Sequence, residues 1–428
     1  KELVEKLAKL SQVQSIKDIP QLTHALFPGT HCPLMGAAMA VGGIKDSLIV
    51  VVGTDECTYY TKSMTIHSEK FGGIDGRCVS VVLDDHDVTF GSAEKVQEAF
   101  KEIIEEYRPQ CVFLVTTCVI EIIGDDFDAI SEGLSKLYGI PVLPVHTEHF
   151  KCEDHLPGLE RTITVCAEMM KSCDCENSVN LLGQRMGDFA TTELYAMLQK
   201  AGVKIGLQLP CGCSVDDIKN AAAAKVNIVV NDIALPLAQK MQEKFGIPYV
   251  YFNKFVIPEK IYEAYKNLFV YLDLELPGEL EGLYQNAREK IEKNKGELEG
   301  ITYIYGNTPY AVFEMNCFLS SLGMVPQVIQ TNRYTEADEP YAKEILQYTD
   351  PYVCKAANIA PLQYVYDVLS PYLYLGHEFG NRLRQKGIAI VDSDRASGML
   401  GFEVTGYLLQ QLVKSVREAK EYRKELGL

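Results

Sequence analysis

Short runs of β-branched and aliphatic residues alternate with amphipathic segments along almost the whole chain. Ser47 to Val52 is typical of a buried strand, Ala93 to Tyr107 of a helix with apolar residues on one face, and Cys111 to Thr116 of the next strand. Strands that alternate with helices in this way form parallel sheets with helices on both faces. The sequence therefore predicts an α/β protein.

The length of the chain predicts more than one such unit. At 428 residues it is too long for a single hydrophobic core, and roughly 150 residues per domain gives about three. We predict three Rossmann-like domains with parallel sheets flanked by helices, at residues 1–176, 177–276 and 277–428. The last begins with a charged helix, from Pro277 to Gly300, that bridges the units. Open parallel sheets bind ligands at the carboxyl ends of their strands, which places a site in a central cleft.

Charge and cysteine content exclude several classes of protein. The net charge of −17, with no basic stripe, argues against a nucleic-acid-binding surface. The apolar runs are far shorter than the roughly 20 residues that a membrane crossing needs. The 13 cysteines are too sparse for a disulfide-stapled secreted domain and odd in number, so a reducing cytoplasm is the expected location.

Three cysteines stand where a predicted strand or loop gives way to a helix: Cys32 in HCPLMG, Cys57 in GTDEC and Cys118 in TTCVIEIIGDD. Thiolates at such turns can converge on iron or zinc without unwinding a core element. A redox metal cluster is the leading hypothesis. Zinc is the lesser alternative because paired Cys-x-x-Cys knuckles are missing, and buried thiols without metal are the third.

With these motifs the chain resembles the nitrogenase component 1 superfamily, the large catalytic component of nitrogenase and its relatives. The resemblance also rests on VTFG at 88–91, on the Thr116 to Asp126 segment, and on segments 179–187 and 225–251. It implies that Cys32, Cys57 and Cys118 are cluster ligands.

In that family, three cysteines of one subunit meet cysteines of a partner at the interface, where they hold a P cluster or a four-iron, four-sulfur cluster. Three ligands do not complete the usual four of a cubane, so the resemblance implies a partner chain or an oxygen ligand such as an aspartate.

The pattern departs from true nitrogenases at the two anchors of their iron–molybdenum cofactor. Asn231 stands where the family has the cysteine, and Leu400 where it has the histidine. A neutral amide and an alkyl group cannot replace a thiolate and an imidazole at a metal. We therefore expect no dinitrogen reduction by this chain alone.

For five other cysteines, roles that do not involve a metal are favoured. Cys211 and Cys213 follow a strand and point toward the cleft, where a tight turn with incidental thiols is favoured over transient metal ligands. Cys173 and Cys175 lie in a polar linker and are expected to be surface thiols. Cys111 lies in an apolar strand and is expected to be a core residue.

Three histidines fall close together, at His146, His149 and His155. A loop rim of hydrogen-bonded imidazoles is favoured over a metal site. Because this segment borders the active cavity in the family, His155 is the candidate for donating protons to a bound substrate. No Walker A sequence occurs, and Gly183 to Gly187 is assigned to a structural turn. The resemblance implies that a separate iron–sulfur protein hydrolyses ATP, docks on this chain and delivers electrons.

The leading functional hypothesis is a subunit of a nitrogenase-like two-component oxidoreductase. Its cluster accepts electrons from an ATP-dependent iron–sulfur reductase and passes them to a substrate or to a second metallocofactor in the cleft. A homologous partner subunit, in a heterotetramer or a homodimer, is implied. The alternative is a scaffold for assembly of a nitrogenase-type cofactor, and a cluster-free α/β binding protein is the third possibility.

Overall fold

The computed structural model describes residues 2–22, 31–66, 76–152, 154–185, 187–306, 308–356 and 359–428. The strands are β1 (Ala8–Lys9), β2 (Ile44–Lys45), β3 (Ser47–Gly53), β4 (Cys78–Val82), β5 (Cys111–Thr116), β6 (Val142–Val145), β7 (Ser178–Gln184), β8 (Lys204–Pro210), β9 (Cys213–Ser214), β10 (Val226–Val229), β11 (Tyr249–Tyr251), β12 (Thr302–Tyr305), β13 (Val325–Gln330), β14 (Tyr352–Cys354), β15 (Leu373–Leu375) and β16 (Ala389–Val391).

The helices are α1 (Pro33–Gly42), α2 (Asp55–Ile66), α3 (Asp85–Phe90), α4 (Ala93–Tyr107), α5 (Cys118–Ile123), α6 (Phe127–Tyr138), α7 (Leu156–Val165), α8 (Glu193–Lys200), α9 (Val215–Lys219), α10 (Leu235–Phe245), α11 (Pro258–Leu272), α12 (Glu279–Leu298), α13 (Val312–Ser321), α14 (Glu339–Tyr348), α15 (Ile359–Leu369), α16 (Gly380–Arg384) and α17 (Glu403–Leu426). None of the helices in the described ranges is both long and apolar enough to span a bilayer.

The strands of the described residues form three main sheets. Their orders are β4-β3-β5-β6, β11-β10-β7-β8 and β1-β14-β13-β12-β15-β16. Pairing is parallel throughout except for β1, which runs antiparallel to β14. The α/β prediction is therefore confirmed, and the antiparallel edge strand is a feature that the alternating pattern did not indicate.

The hydrophobic pattern explains why the first sheet is a central layer. Every residue of β3 and of β5 is buried, as expected for parallel strands covered by helices on both faces. In α4 the apolar positions Val96, Phe100 and Ile103 are buried against the first sheet. The remaining surface of that helix is polar, which is the amphipathic pattern of a helix that covers a sheet.

The division into three domains stays a proposal, to which the structure adds two connections. Ala8 pairs with Val353, so the first residues of the chain lie on the third sheet. Near the other end, Leu400 and Phe402 pack into the core of the second sheet. We therefore propose that the third unit includes residues before 23 and that its C-terminal segment contacts the second unit.

The charged segment after Pro277 forms α12, which packs against α11 and α17. Only Leu280, Ala287 and Leu298 of this helix are buried. So narrow an apolar stripe is typical of a helix that lies mostly in solvent and bridges two units.

Candidate functional site

The three predicted ligand cysteines all lie where a helix begins. Cys32 is the N-cap residue of α1, Cys57 lies in the first turn of α2, which follows β3, and Cys118 is the first residue of α5, which follows β5. Because β3 and β5 are neighbouring parallel strands, the helices that follow them begin at the same edge of the first sheet. All three side chains are partly accessible to solvent.

The electrostatics of Cys118 indicate that the three thiols share one site. Burial raises the pKa of Cys118, the Cys57 thiol raises it further, and Cys32 adds a smaller contribution. The backbone amides of Cys118 and Val119 oppose this by donating hydrogen bonds that favour the thiolate. The structure thus brings together three sulfur atoms from distant parts of the sequence.

The spacing of the sulfur atoms bears on which metal they fit. Among the described residues, Asp84, His86 and Asp87 are the one group of three whose ligand atoms all lie within 4.8 Å of one another. The sulfur atoms of Cys32, Cys57 and Cys118 do not meet this distance, so they are spread more widely. A single zinc ion with bonds of about 2.3 Å needs thiolates about 4 Å apart. The wider arrangement favours a polynuclear cluster, whose ligands bind different iron atoms.

The polar groups next to the cysteines also fit a bound group. The Thr117 hydroxyl is buried without a hydrogen-bond partner among the described residues, directly before Cys118. A Cβ at Gly53 would lie 2.1 Å from the oxygen of this hydroxyl, so the end of β3 has to be glycine. Thr54 donates a hydrogen bond from its hydroxyl to the Cys57 sulfur at 3.4 Å. The sulfur donor set and its polar surroundings fit an iron–sulfur cluster.

The two flanking motifs that carried the family resemblance meet in space. Asp125 of the IGDD segment accepts hydrogen bonds from the Ser92 amide at 2.7 Å and the Ser92 hydroxyl at 2.6 Å. A Cβ at Gly91 would approach the same carboxylate to 3.0 Å. The motifs therefore brace the loop after α5 against the start of α4 and fix the orientation of the helix that begins at Cys118.

The Asp84, His86 and Asp87 group has a structural explanation. Asp84 caps α3 by accepting hydrogen bonds from the amides of His86 and Asp87. Lys95 forms ion pairs with both carboxylates, at 3.1 and 2.6 Å. These groups therefore satisfy one another without a metal ion.

The two positions at which nitrogenases anchor their cofactor have structural roles in this chain. The Asn231 side chain accepts a hydrogen bond from the Ile233 amide and caps the turn after β10. Leu400 is fully buried in the core of the second unit. Neither side chain is a metal ligand.

The other cysteines lie apart from the first site. Cys213 pairs with Ile44 in the short sheet of β2 and β9 and is buried, so its thiol does not face the cleft as the sequence suggested. Burial raises the pKa of Cys111 and of Cys213 to about 12, which keeps both as thiols. Cys173 and Cys175 lie in the linker before β7, where Cys173 donates to the Lys171 carbonyl and to the Asn220 side chain and Cys175 donates to the Glu176 carbonyl.

The three histidines do not form a metal site in the structure. His146 lies 3.3 Å from an Asp128 oxygen, and His149 stacks on Phe150. His155 is the only one of the three that reaches the cleft, where it lies against Arg185.

His155 accepts a hydrogen bond at Nε2 from Arg185, over 3.1 Å. Because arginine can only donate, the proton of the neutral imidazole is on Nδ1. Burial and the Arg185 charge lower the pKa of His155 to about 4, so it is neutral at pH 7. Any proton that it gives to a ligand therefore comes from Nδ1 of the neutral ring, and its catalytic role stays a prediction.

The sequence reasoning missed the charged groups of the cleft. Arg185 directly follows β7, Lys254 closely follows β11, and Arg333 follows β13, so each stands beyond the carboxyl end of a strand. Arg185 and, more weakly, Arg333 lower the pKa of His155, so both charges act on that imidazole. The signal in the sequence was a basic residue shortly after the end of a strand, which is a common pattern and therefore a weak one.

Three carboxyl groups lie near these charges, since Arg333 acts on Glu160 and Asp232, and Asp232 acts on Glu314. Burial raises the pKa of Glu160, of Asp232 and of Glu314. Asp232 stays accessible to solvent although protein surrounds it, as expected for a side chain in the wall of a cleft. The loops behind it pack tightly, since a Cβ at Gly183 would lie 2.9 Å from the Cβ of Asn231. Met186, within the Gly183 to Gly187 turn, lies outside the described residues.

Comparison with known proteins supports the family resemblance. The model of a family described as nitrogenase component 1 type oxidoreductase matches residues 32–417. The nitrogenase iron-molybdenum cofactor biosynthesis protein NifE of Clostridium pasteurianum is 30% identical over 51% of this chain and 49% of its own length. The NifE protein of Rippkaea orientalis is 25% identical over 74% of this chain and 69% of its own length.

Two further similarities concern nitrogenase itself. The molybdenum-iron protein alpha chain of Methanosarcina barkeri is 24% identical over 73% of this chain and 62% of its own length. The chain thus spans about half to two thirds of the curated relatives that it matches. A solved structure, nitrogenase Cp1 at pH 6.5, covers 95% of this chain and 96% of its own, with a TM-score of 0.76 and 14% identity. That likeness shows the fold.

Proposed function

This chain belongs to the nitrogenase component 1 type oxidoreductases, and on that premise we propose that it is a cluster-holding subunit of a nitrogenase-like two-component oxidoreductase. Cys32, Cys57 and Cys118 would hold an iron–sulfur cluster together with a ligand from a homologous partner subunit. An ATP-dependent iron–sulfur reductase would be the source of electrons, and a ligand in the central cleft would receive them.

The observation that carries this proposal is that Cys57 and Cys118 lie in helices that begin at one edge of the first sheet, and that Cys57 and, more weakly, Cys32 raise the pKa of Cys118. All three residues are partly accessible to solvent. A second chain can therefore approach and complete the ligand set. A bound cluster of this kind supplies one-electron transfer.

The protein's own residues determine how such a cluster is held. The amides of Cys118 and Val119 donate toward the Cys118 sulfur, and the Thr54 hydroxyl donates toward Cys57. Hydrogen bonds to cluster sulfurs and solvent exposure are the main means by which a protein tunes a cluster potential. The half-buried site offers both.

Iron and acid-labile sulfide analysis of anaerobically purified protein tests this assignment. We expect iron and sulfide together with visible absorbance around 400 nm, and loss of all three in Cys57→Ala. Cys175→Ala is the matched control because Cys175 lies exposed in the linker, and it should keep the full iron content. Iron-free protein, or equal iron in Cys57→Ala and the control, would refute the ligand assignment.

A second candidate function is a scaffold for assembly of a nitrogenase-type cofactor. It is favoured by the relatives named NifE, which are described as iron-molybdenum cofactor biosynthesis proteins. The structural roles of Asn231 and Leu400 suit a cofactor that is held only in passing. Purification with the partner subunit separates the two functions: transfer of an extracted cluster to an apo-enzyme supports the scaffold, and turnover of a substrate supports the oxidoreductase.

A further inference from the structure

We propose that Cys173 and Cys175 form a redox-active dithiol on the surface of the protein, which a small cationic disulfide oxidises to an internal disulfide bond. The inference goes beyond the proposed function, because it concerns neither the three proposed cluster ligands nor the cleft. Both cysteines belong to residues 171–177, which we call the linker segment.

The two thiols are open to a small reagent. Among the 13 cysteines, all of which lie in the described ranges, Cys175 is the one that is exposed. Cys173 is partly buried, and its thiol donates to the Lys171 carbonyl at 3.2 Å and to the Asn220 side-chain oxygen at 3.9 Å. A reagent therefore meets Cys175 first, while contacts with the protein hold Cys173 two residues away.

The spacing of the two cysteines allows a bond between them. A disulfide needs Cα atoms about 4.4 to 6.8 Å apart. Two residues of fully extended chain span at most about 7 Å, so a slight bend of the backbone between Cys173 and Cys175 brings the pair into that range. Both cysteines are free thiols in the structure, which is the reduced form of the proposed site.

Backbone hydrogen bonds hold both ends of the linker segment and leave its middle free to bend. The Lys171 amide donates to the Lys219 carbonyl at 2.9 Å, and the Glu176 amide donates to the Ala223 carbonyl at 2.7 Å. Between these contacts, the amides of residues 172–175 donate no backbone hydrogen bond to any residue that the structure describes. The disulfide can therefore form without the loss of a backbone hydrogen bond.

A metal ion fits this pair less well than a disulfide does. In the part of the chain that the structure describes, no third ligand atom joins the two thiols within 4.8 Å, since the one such group of three lies elsewhere. Structural zinc takes four protein ligands. Two cysteines at this spacing offer only two, on an exposed segment.

The charges around the pair favour a cationic reagent. Asp174 and Glu176 flank Cys175 in the sequence, and Lys171 is the one basic residue of the linker segment. All three charged residues are exposed. The protein as a whole carries a net charge of −17. Negative charge of this kind attracts a small cation and repels an anionic disulfide such as oxidised glutathione.

The reaction consists of two exchange steps that balance without a further oxidant. The Cys175 thiolate attacks one sulfur of the reagent, whose disulfide breaks as a mixed disulfide forms and one thiolate leaves. The Cys173 thiolate then attacks the Cys175 sulfur, and the second half of the reagent leaves. The two protein thiols are oxidised and the reagent is reduced to two thiols, which take up the two protons that the protein thiols lose to solvent.

Peptide mapping of the full-length, anaerobically purified protein tests the proposal with cystamine as the cationic probe. Cleavage after Lys171 and Arg185 releases residues 172–185, a peptide whose only cysteines are Cys173 and Cys175. After cystamine treatment at low ionic strength and alkylation of the remaining thiols, we expect this peptide to carry no alkyl group and to be two hydrogen atoms lighter than its reduced form. Oxidised glutathione should give the same product about tenfold more slowly, and high salt should narrow the difference.

Single variants assign the two roles. In Cys173→Ser, the peptide should keep half of the reagent as a stable adduct on Cys175, because the thiol that releases it is missing. In Cys175→Ser, the remaining thiol should react at least about tenfold more slowly, because access limits exchange. Cys211→Ser changes a partly buried thiol outside the linker segment and is the control, which should give the same peptide as the parent protein.

Each other outcome overturns a defined part of the proposal. Alkylation of both thiols after cystamine treatment, or a mixed disulfide that persists in the parent protein, would overturn the dithiol. Oxidised glutathione that reacts at least as fast as cystamine would overturn the preference for a cationic reagent. Iron analysis of the same samples is independent, since both linker variants should keep the parent's iron content, and iron-free protein would refute the cluster assignment while leaving the dithiol standing.

Discussion

Replacement of Lys254 by methionine should stabilise the ligand-free protein at neutral pH, against the usual effect of a substitution at a buried position. Burial and the nearby Arg185 lower the pKa of Lys254 from its ordinary value of 10.5 to about 8. At about 1.4 kcal/mol per pH unit, the difference corresponds to about 3 kcal/mol. Methionine has a similar length and carries no charge, so we expect Lys254→Met to gain about that free energy of unfolding at pH 7.

The pH dependence identifies the cause of the gain. Because the folded pKa lies below the unfolded one, the cost of the buried charge is fully present below pH 8 and is relieved as the pH rises toward 10.5. The difference in stability between the two proteins should therefore shrink from about 3 kcal/mol toward zero over that range. Other groups that titrate in this range are the same in both proteins, so they cancel in the difference.

Urea denaturation from pH 7 to pH 10.5 measures this difference. Lys240→Met is the control, because loss of a surface ion pair has little effect on stability. A Lys254→Met protein that is no more stable than the control at pH 7, or a gain that does not vary with pH, would refute the reasoning.

Three further predictions concern the packing around the sites. Gly158→Ala should lower both the melting temperature and the iron content, because the new Cβ would lie 1.8 Å from a backbone carbonyl oxygen of α1. That helix begins directly after Cys32, the first of the three proposed ligands. Gly133→Ala has open space around the new Cβ and is the control for both measurements. Asp125→Ala should cost about 2 to 3 kcal/mol in urea denaturation, because it leaves the two buried donors of Ser92 without an acceptor. Glu193→Ala should speed hydrogen exchange at the start of α17, because its carboxylate accepts from two backbone amides there; unchanged exchange would contradict that role.

Much of the fold follows from local patterns in the sequence. The apolar period from Leu235 to Phe245, with a proline near its start and a glycine after its end, predicts a helix, and α10 has those bounds. Ser214 before the segment 215–224 predicts a capped helix there, and Ser214 does cap α9 by accepting from the Asp217 amide. That helix ends at Lys219, five residues before the predicted end, because Asn220 terminates it and a short 3-10 turn follows.

Elements that depend on distant partners could not be found in this way. β1 has two residues, and its existence rests on pairing with Tyr352 and Val353 of the third sheet. β15 is three residues long, too short to show a period of two. A strand of this length is stabilised by its neighbours, so the local sequence carries almost no signal for it.

The candidate site was predictable in part for the same reason. The cysteines stood out because a reactive residue type recurred at the start of three helices. Arg185 and Lys254 did not stand out, because basic residues after a strand are common and only the packing of the second sheet brings these two together. Cys213 was misplaced since its short strand pairs with Ile44 and turns the thiol into the core.

Native mass spectrometry of the anaerobically purified protein with its partner tests the central claim most directly, because it weighs the polypeptide and everything bound to it. We expect the mass of iron and inorganic sulfide in addition to the chains, and loss of that mass in Cys118→Ala but not in Cys111→Ala. A bare polypeptide mass, or the same added mass in both variants, would contradict the proposal that these three cysteines hold a cluster.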